Sequence, residues 1–406
     1  MRFFHPGATD GRFVPGASRR RRERFRLHQQ NEAAGRTVNG EIHPQHLTWD
    51  WWGAPGRILA AEPCDAHTHS DAPSEGALRI VQGCGYDPGN AAYRFHTAVN
   101  ECTKHASAFA RWGHTNPFCD IRQIDGDTQP KEARAAVYHA DVIHSHVDYL
   151  LQAKTRFKWR ARADQLVIRH YHGTRWNAPQ KQQWPILNML EDDLANVVLV
   201  GARLTLCAVR PSRMQWLPIA VPVKRYRAMV PAVRRPGPFR IAHSPTRADY
   251  KGTADLVAAV DTLRGKGLKI DLVMIQRQTH AKALAMKADA DLTFDSFWLG
   301  IQGSGLEAAS MGQMVVAGDE SVRDLYVESE VGACPYTFAN DRAQLTAVLE
   351  RAITEPAWYK AEAKRVAAYV TKVHDYAAVA KRYEGIIAKV TGWQNVETKA
   401  RKRGAA

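Results

Sequence analysis

Short apolar runs alternate with amphipathic stretches along most of the chain that follows residue 77. In the first half, strand-like runs lie at residues 78–82, 141–146, 166–171 and 197–200. A helix is predicted over residues 90–111, after a turn that contains Gly83, Gly85 and Gly89. Strands that alternate with helices are typical of a parallel sheet covered by helices.

The alternation stops at VPVKRYRAMVPAVRRPGP, residues 221–238, which holds four prolines and predicts a linker. It then resumes, with strands predicted at 239–242, 270–275, 292–294 and 314–317. Helices are predicted at 252–265, 278–288, 304–311, 341–353 and 356–370, and a last helix at about 375–390. The second half therefore repeats the architecture of the first.

The predicted fold class is α/β, with two Rossmann-like doubly wound domains facing across a cleft, where such sheets bind ligands. Residues 1–77 lack periodicity and predict an irregular extension that is basic and rich in tryptophan. The predicted divisions are the extension (1–77), a first domain (78–220), the linker (221–238), a second domain (239–374), a helix returning to the first domain (375–390) and a basic tail (391–406).

Composition supports a globular protein, because 45% of the 406 residues are hydrophobic and 24% are charged. The chain lacks an apolar run of the ~20 residues that a membrane span needs. Its six cysteines are scattered, which favours a reducing compartment over a disulfide or zinc framework. We therefore expect a cytoplasmic protein without a membrane span.

The net charge of +15 is concentrated at the two ends. Residues 1–40 carry nine arginines against three acids, a local charge of +6, and residues 398–406 carry +4. Such clusters bind nucleic acid through counterion release, although solvated basic tails often have no specific partner. Nucleic acid is therefore a possible partner that the charge alone does not identify.

A candidate phosphate site follows the strand at 239–242, in the segment HSPTRADYKGT. Arg247 and Lys251 lie between the end of this strand and a helix that opens near Gly252. Two cations beside the N-terminus of a helix favour phosphate binding. The alternative is a pair of solvated loop charges.

A second candidate lies in the segment GSGLEAASMG, which begins at Gly303 and precedes the strand at 314–317. Small residues let the backbone approach a ligand, and the carboxylate of Glu307 suits the hydroxyl groups of a ribose. Ser304 and Glu307 also have the spacing of a capping box, in which Glu307 would only bind a backbone N–H group. Together the two segments favour a nucleotide diphosphate.

The runs IAHSPTRADYKGT, DLTFDSFWLGIQGSGLEAASMGQMVV and VHDYAAVAKRYEGI resemble glycosyltransferases of the GT-B fold, and family 4 in particular. In the first half, the glycine-rich turn, the Ala140 to His146 strand and the loop from Tyr171 are similar to the acceptor domain of that fold. The resemblance covers residues 78–390 and implies retaining transfer from a nucleotide sugar, with no metal and no other cofactor.

The resemblance also implies roles for individual residues. Arg247 and Lys251 would bind the donor diphosphate, Glu307 the ribose, and His172 would lie near the transferred sugar. Backbone N–H groups would come from Gly303, Ser304, Gly305 and Leu306, and the other domain would approach the donor through Gly85 and Asn90. One departure concerns Leu299, where the family usually has a second glutamate.

The sequence is also compatible with other functions. The basic ends and Leu299 fit a nucleic-acid-binding protein whose glycosyltransferase-like body is inactive. An active enzyme that glycosylates modified DNA bases, as some phage enzymes do, would use the basic ends to hold its acceptor. Glycans, lipids and proteins are further acceptors. His67 and His69, in the segment DAHTH, resemble the metal pair of an amidohydrolase barrel, which is a third alternative.

Overall fold

The computed structural model describes residues 76–84, 91–111, 124–125, 130–146, 162, 164–171, 197–200, 214–232, 236–246, 248–297, 300–318 and 331–404. The predicted extension, with its arginine run and the DAHTH segment, therefore lies outside the described residues, apart from residues 76 and 77. Both sheets described below belong to one compact unit of the chain.

The strands are β1 (Arg79–Cys84), β2 (Ala106–Arg111), β3 (Ile124–Asp125), β4 (Val142–His146), β5 (Leu166–Tyr171), β6 (Val197–Val200), β7 (Met214–Trp216), β8 (Phe239–His243), β9 (Ile270–Met274), β10 (Leu292–Phe294), β11 (Met314–Ala317) and β12 (Thr337–Phe338). The helices are α1 (Ala91–Cys102), α2 (Pro130–His139), α3 (Val223–Ala228), α4 (Ala248–Lys251), α5 (Thr253–Gly265), α6 (His280–Ala288), α7 (Gly303–Ser310), α8 (Arg342–Thr354), α9 (Pro356–His374) and α10 (Tyr376–Gly404). Among these helices, none is long and apolar enough to cross a membrane.

The first sheet and the helices packed on it form the N-lobe. Its seven strands are parallel and follow the order β3-β2-β1-β4-β5-β6-β7. One face packs against α1 and α10 through residues such as Phe95, Ile168 and Tyr383, and the other packs against α2 through Val137 and Ile143. Because both faces are covered, β4 is buried along its whole length.

The second sheet and its helices form the C-lobe, with five parallel strands in the order β12-β11-β10-β8-β9. On one face, α5 and α8 bury Leu256, Leu345 and Leu349 against the sheet. On the other, α3, α6 and α7 pack together with the second half of α9. The two doubly wound sheets that the sequence predicted are therefore confirmed.

Three sequence predictions about elements are wrong. The predicted helix over 90–111 ends at Cys102, after which His105 N donates to the side-chain Oγ1 of Thr103, and residues 106–111 form the strand β2 instead. The predicted linker contains α3, whose Val223 and Tyr226 are buried in the C-lobe core. The last helix continues through the predicted basic tail to Gly404, because residues 391–404 lack proline and are rich in strong helix formers.

Two segments that connect the N-lobe elements with the C-lobe elements run side by side. Val221 and Asp375 form a parallel bridge, in which Val221 N donates to the carbonyl of His374 at 2.8 Å. The buried His374 ring adds a 2.9 Å bond between Nδ1 and the carbonyl of Ile219, and burial lowers the pKa of His374 to about 4. This neutral ring fixes the point at which α9 ends and α10 begins.

The fold also bears on the amidohydrolase alternative. That alternative requires eight β/α units closed into one barrel, whereas the described strands form two open sheets. The architecture is therefore not the one that the histidine pair of the DAHTH segment would need.

Candidate functional site

The predicted site residues divide into two groups. Gly85, Asn90, His172 and Arg247 lie outside the described residues, and so does Leu299. Lys251 is described, at the end of α4, and the other described members of the predicted set lie in α7: Gly303, Ser304, Gly305, Leu306 and Glu307.

Lys251 and α7 meet at the carboxyl edge of the second sheet. In that sheet β8 and β10 are neighbours, and the strands that follow them in sequence, β9 and β11, lie on opposite sides. Such a switch point opens a crevice in which doubly wound sheets bind their ligands. Lys251 follows β8, and Asp295 directly follows β10, so both lie beside this switch point.

Asp295 joins Lys251 to the N-terminus of α7. Its Oδ1 accepts from Lys251 Nζ at 3.0 Å, and its Oδ2 accepts from Gln302 N at 2.5 Å and Gly305 N at 3.2 Å. The carboxylate is 3% exposed. Gln302 is the N-cap residue of α7, but its side chain makes no capping hydrogen bond. The carboxylate of Asp295 therefore caps the helix in its place.

Glycines make this close approach possible. A Cβ atom at Gly305 would lie 2.6 Å from Asp295 Oδ2 and 2.7 Å from Ile301 Cγ1. Gly252, between α4 and α5, has φ of +75°, and a Cβ atom there would lie 2.5 Å from the ring of Phe297. Both positions exclude a side chain because the backbone packs directly on its neighbours.

Glu307 is 6% exposed and accepts from three basic side chains. Lys287 Nζ donates to Oε2 at 2.6 Å, His280 Nε2 lies 3.0 Å from Oε1, and Arg94 of the N-lobe donates to Oε1. Burial alone would raise the pKa of Glu307, but Lys287, Arg94 and His280 hold it well below its usual value. Glu307 is thus an ion-paired carboxylate, and the capping box predicted with Ser304 is not formed.

Helix α6 places two of these three basic side chains, His280 and Lys287. Thr279 caps α6 by accepting from Lys282 N, and His280 and Lys287 lie seven residues apart on the face of α6 that meets α7. Lys287 Nζ also donates to Ser304 Oγ at 2.9 Å and to the Ser304 carbonyl at 3.3 Å. The ammonium of Lys287 therefore holds the first turn of α7 as well as Glu307.

His243 supports the same edge of the sheet. Its Nδ1 lies 2.9 Å from the carbonyl of Phe294 and its Nε2 lies 2.9 Å from Thr253 Oγ1, so the ring links β10 to the start of α5. Burial lowers the pKa of His243 to about 4. This ring is neutral near pH 7 and serves as a structural link.

The described part of the site carries more positive than negative charge. Arg94, Lys251 and Lys287 are cations, and Asp295 and Glu307 are carboxylates, which leaves a net charge of +1 before His280 is counted. The arrangement therefore suits an anion at the N-terminus of α7.

Sequence reasoning missed Arg94, Lys287 and Asp295. Lys287 lies on the buried face of α6 with Leu284 and Ala288, and Arg94 lies between Ala91 and Phe95 on the buried face of α1. A charged residue on an apolar helix stripe was the signal that could have identified both.

A buried histidine cluster, His144, His146 and His170, lies near the carboxyl edge of the first sheet. His144 Nδ1 is 3.0 Å from the hydroxyl of Tyr383, its Nε2 is 3.2 Å from His170 Nδ1, and His146 Nε2 is 2.6 Å from Gln82 Oε1. One ligand nitrogen of each imidazole lies within 4.8 Å of the others, a spacing that suits a metal ion.

The ring geometry argues against a shared ion at this cluster. The rings of His144 and His146 are stacked, with centroids 4.2 Å apart and planes at 19°. Because imidazole lone pairs lie in the ring plane, stacked rings do not direct them to one point. The cluster is instead a hydrogen-bonded layer on which Phe95 of α1 packs, 4.9 Å from the ring of His170.

The comparisons with known proteins identify the fold. No protein-family model matches the chain, and no curated protein matches its sequence. Among solved structures, an alpha-glucosyltransferase in complex with UDP and a 13-mer DNA containing a HMU base matches with a TM-score of 0.53 at 10% identity, covering 77% of this chain and 100% of that chain.

Two further solved structures agree. HepE of Anabaena in complex with UDP matches with a TM-score of 0.52 at 12% identity, covering 77% of this chain and 100% of that chain. A glycosyltransferase from Rickettsia africae ESF-5 matches with a TM-score of 0.52 at 13% identity, covering 78% of this chain and 99% of that chain. The chain therefore has the GT-B fold that its sequence motifs predicted.

Proposed function

We propose that this protein is a glycosyltransferase that moves a sugar from a nucleotide-diphosphate sugar to an acceptor hydroxyl. The observation that supports this best is the meeting of Lys251 with the N-terminus of α7 at the switch point of the C-lobe sheet. The first turn of a helix and a nearby ammonium group together stabilise phosphate oxygens. The likeness in fold to structures determined with UDP supports the same donor class.

The proposed chemistry needs stabilisation of a leaving group more than it needs a base. When the bond between the anomeric carbon and the phosphate oxygen breaks, negative charge develops on the departing diphosphate. Lys251, the predicted Arg247 and the α7 N-terminus would stabilise that charge without a metal ion. In a retaining reaction on one face of the sugar, the acceptor oxygen bonds to the anomeric carbon while its proton moves to the leaving phosphate. His172 would then hold the sugar in position.

Asp295 has a definite role in this proposal. An ammonium group has three hydrogen-bond donors, and the bond with Asp295 uses one of them. Asp295 would thus fix Lys251 Nζ beside α7 and leave it able to donate to a phosphate oxygen. Glu307 would reach the ribose hydroxyls once it exchanges one of its present bonds.

The donor experiment compares nucleoside diphosphates, beginning with UDP, by calorimetric titration and then measures hydrolysis and transfer of the matching nucleotide sugars. Lys251→Ala and Glu307→Gln are expected to reduce transfer at least about tenfold, and chelation with EDTA is expected to leave it unchanged. Lys266→Ala is the matched control, since Lys266 pairs with Glu350 on an exposed surface. Near-wild-type transfer by both site variants would refute the proposed site.

The acceptor is the less constrained half of the proposal. One structural neighbour was determined with DNA containing a HMU base, and the basic ends of this chain would suit a polyanionic acceptor. We therefore propose a modified DNA base as the first acceptor to test, before glycans, lipids and proteins. Transfer of labelled sugar to DNA with and without hydroxymethylated bases distinguishes these classes.

A second candidate is a nucleic-acid-binding protein with an inactive glycosyltransferase-like body. One observation favours it: a carboxylate of the protein itself, Asp295, already lies at the anion-binding end of α7. This candidate predicts DNA binding with a steep salt dependence and no affinity for any nucleoside diphosphate. Measurable hydrolysis of a nucleotide sugar, with or without DNA, would exclude it.

A further inference from the structure

Arg94 brings an N-lobe guanidinium to the first turn of α7. The side chain extends from α1, is 3% exposed and donates through Nη2 to Glu307 Oε1 in the C-lobe. Its Nη1 lies 3.6 Å from the point that a Cβ atom on Gly303 would occupy. The same guanidinium therefore bonds to the ribose-site candidate and lies beside the start of the helix.

Two nitrogens of this guanidinium, Nε and Nη1, are buried without a hydrogen-bond partner among the described residues. Burial by itself would lower the pKa of Arg94, but Tyr226 and Glu307 raise this pKa above its usual value. Arg94 therefore remains a cation. Buried N–H groups without acceptors are costly, and an arginine presents its donors in a planar fork that suits phosphate. The Nη1 donor is placed where an anion at the N-terminus of α7 would accept from it.

We propose that Arg94 binds the donor diphosphate from the N-lobe and is a catalytic residue that contacts the leaving phosphate. This inference rests on the proposed function and adds a residue that neither the motifs nor the fold comparison assigned. Lys251 and Arg94 then flank the first turn of α7, one reaching it through Asp295 and the other beside Gly303. The diphosphate lies between cations of both lobes.

This placement also gives Glu307 a second state. In the structure, Oε1 of Glu307 accepts from Arg94 and lies 3.0 Å from His280 Nε2. When the guanidinium turns its donors to the diphosphate, Oε1 gains capacity to accept from a ribose hydroxyl, while Lys287 continues to hold Oε2. One exchange of hydrogen bonds thus prepares the phosphate and ribose contacts together.

The test compares the affinities of uridine, UMP and UDP for the full chain by calorimetric titration, with the adenosine and guanosine series in parallel. For Arg94→Met we expect the affinity for UDP, or for the diphosphate that binds best, to fall at least about tenfold. The affinities for the nucleoside and the monophosphate should change less than about threefold. Arg94→Lys should recover part of the diphosphate affinity, because it restores the charge but not the fork.

The control is Arg225→Met. Arg225 of α3 pairs with Glu101 of α1 at 2.5 Å, so this variant removes another ion pair between a C-lobe helix and an N-lobe helix, away from α7. It should leave all three affinities within about twofold of wild type. If it weakened UDP as strongly as Arg94→Met does, a general effect of the ion pairs between lobes would replace the proposed contact.

The outcomes separate the inference from the proposed function. If the wild type binds no nucleoside diphosphate, the proposed function fails and the inference fails with it. If the wild type binds UDP and Arg94→Met retains that affinity, or loses affinity equally for all three ligands, the function stands and the phosphate role of Arg94 is wrong. Should Arg94→Met not fold, Arg94→Lys carries the same comparison, with a selective loss of at least about threefold expected for the diphosphate.

Discussion

Replacing Lys287 with methionine should destabilise the C-lobe strongly. The lysine side chain is 2% exposed, and its ammonium donates to Glu307 Oε2, to Ser304 Oγ and to the Ser304 carbonyl. Methionine keeps most of the aliphatic volume, so the loss comes from these charged hydrogen bonds. Breaking a buried ion pair costs about 3–5 kcal/mol, and since Glu307 keeps Arg94, we expect about 3 kcal/mol.

Urea unfolding, followed by circular dichroism at pH 7, measures this change. The matched control is Lys282→Met on an exposed position of the same helix, for which we expect less than about 0.5 kcal/mol. Adding Glu307→Gln to Lys287→Met should restore at least about 1 kcal/mol relative to the sum of the single changes, because each single change already breaks the Lys287–Glu307 pair and the double variant loses it only once. A Lys287→Met variant as stable as Lys282→Met would refute the ion-pair reasoning.

Two further predictions concern the same architecture. Gly305→Ala should lower the free energy of unfolding in urea by about 1–3 kcal/mol, because the added Cβ atom would lie 2.6 Å from Asp295 Oδ2. The control is Gly265→Ala, where an added Cβ atom would have no neighbour within 4 Å. A cost near zero for Gly305→Ala would contradict the tight packing. For His374, burial lowers the folded pKa to about 4 against 6.5. The unfolded state therefore binds more protons between these values, and His374 alone should lower the stability by about 2 kcal/mol from pH 7 to pH 5, in addition to a similar contribution from His243. His374→Gln should remove the His374 share of this slope, and an unchanged slope would contradict the assignment.

The elements of the C-lobe could be predicted from the sequence because its central strands are buried on both faces. Leu292–Phe294 and Met314–Ala317 are continuous apolar runs between amphipathic segments, and the structure places β10 and β11 at those positions. The N-lobe was harder. The boundary between α1 and β2 lacks glycine and proline, and the turn there contains a hydrogen bond from His105 N to Thr103 Oγ1 that no periodicity reports.

Only those residues of the candidate site that lie next to the end of a strand or the start of a helix could be predicted from the sequence. Lys251 and Glu307 were identified because each follows a strand or opens a helix. Arg94 lies 213 positions from Glu307, and their pairing depends on how α1 and α7 meet. A long-range ion pair of this kind leaves only a weak trace in one sequence, namely a charged residue within an apolar helix face.

The cations and carboxylates around α7 are paired, so a single substitution there changes the partner's contacts as well. Removing Lys251 leaves Asp295 as a buried carboxylate whose remaining described partners are backbone N–H groups, so lost activity could follow from a shifted helix. Lys251→Met combined with Asp295→Asn removes both charges of the pair, which keeps the described site at a net charge of +1. If this double variant folds like the wild type and still fails to bind diphosphate, the ammonium itself carries the binding. If it binds normally, the pair serves only to hold α7 in place, and the phosphate contacts must come from Arg94 and the helix N-terminus.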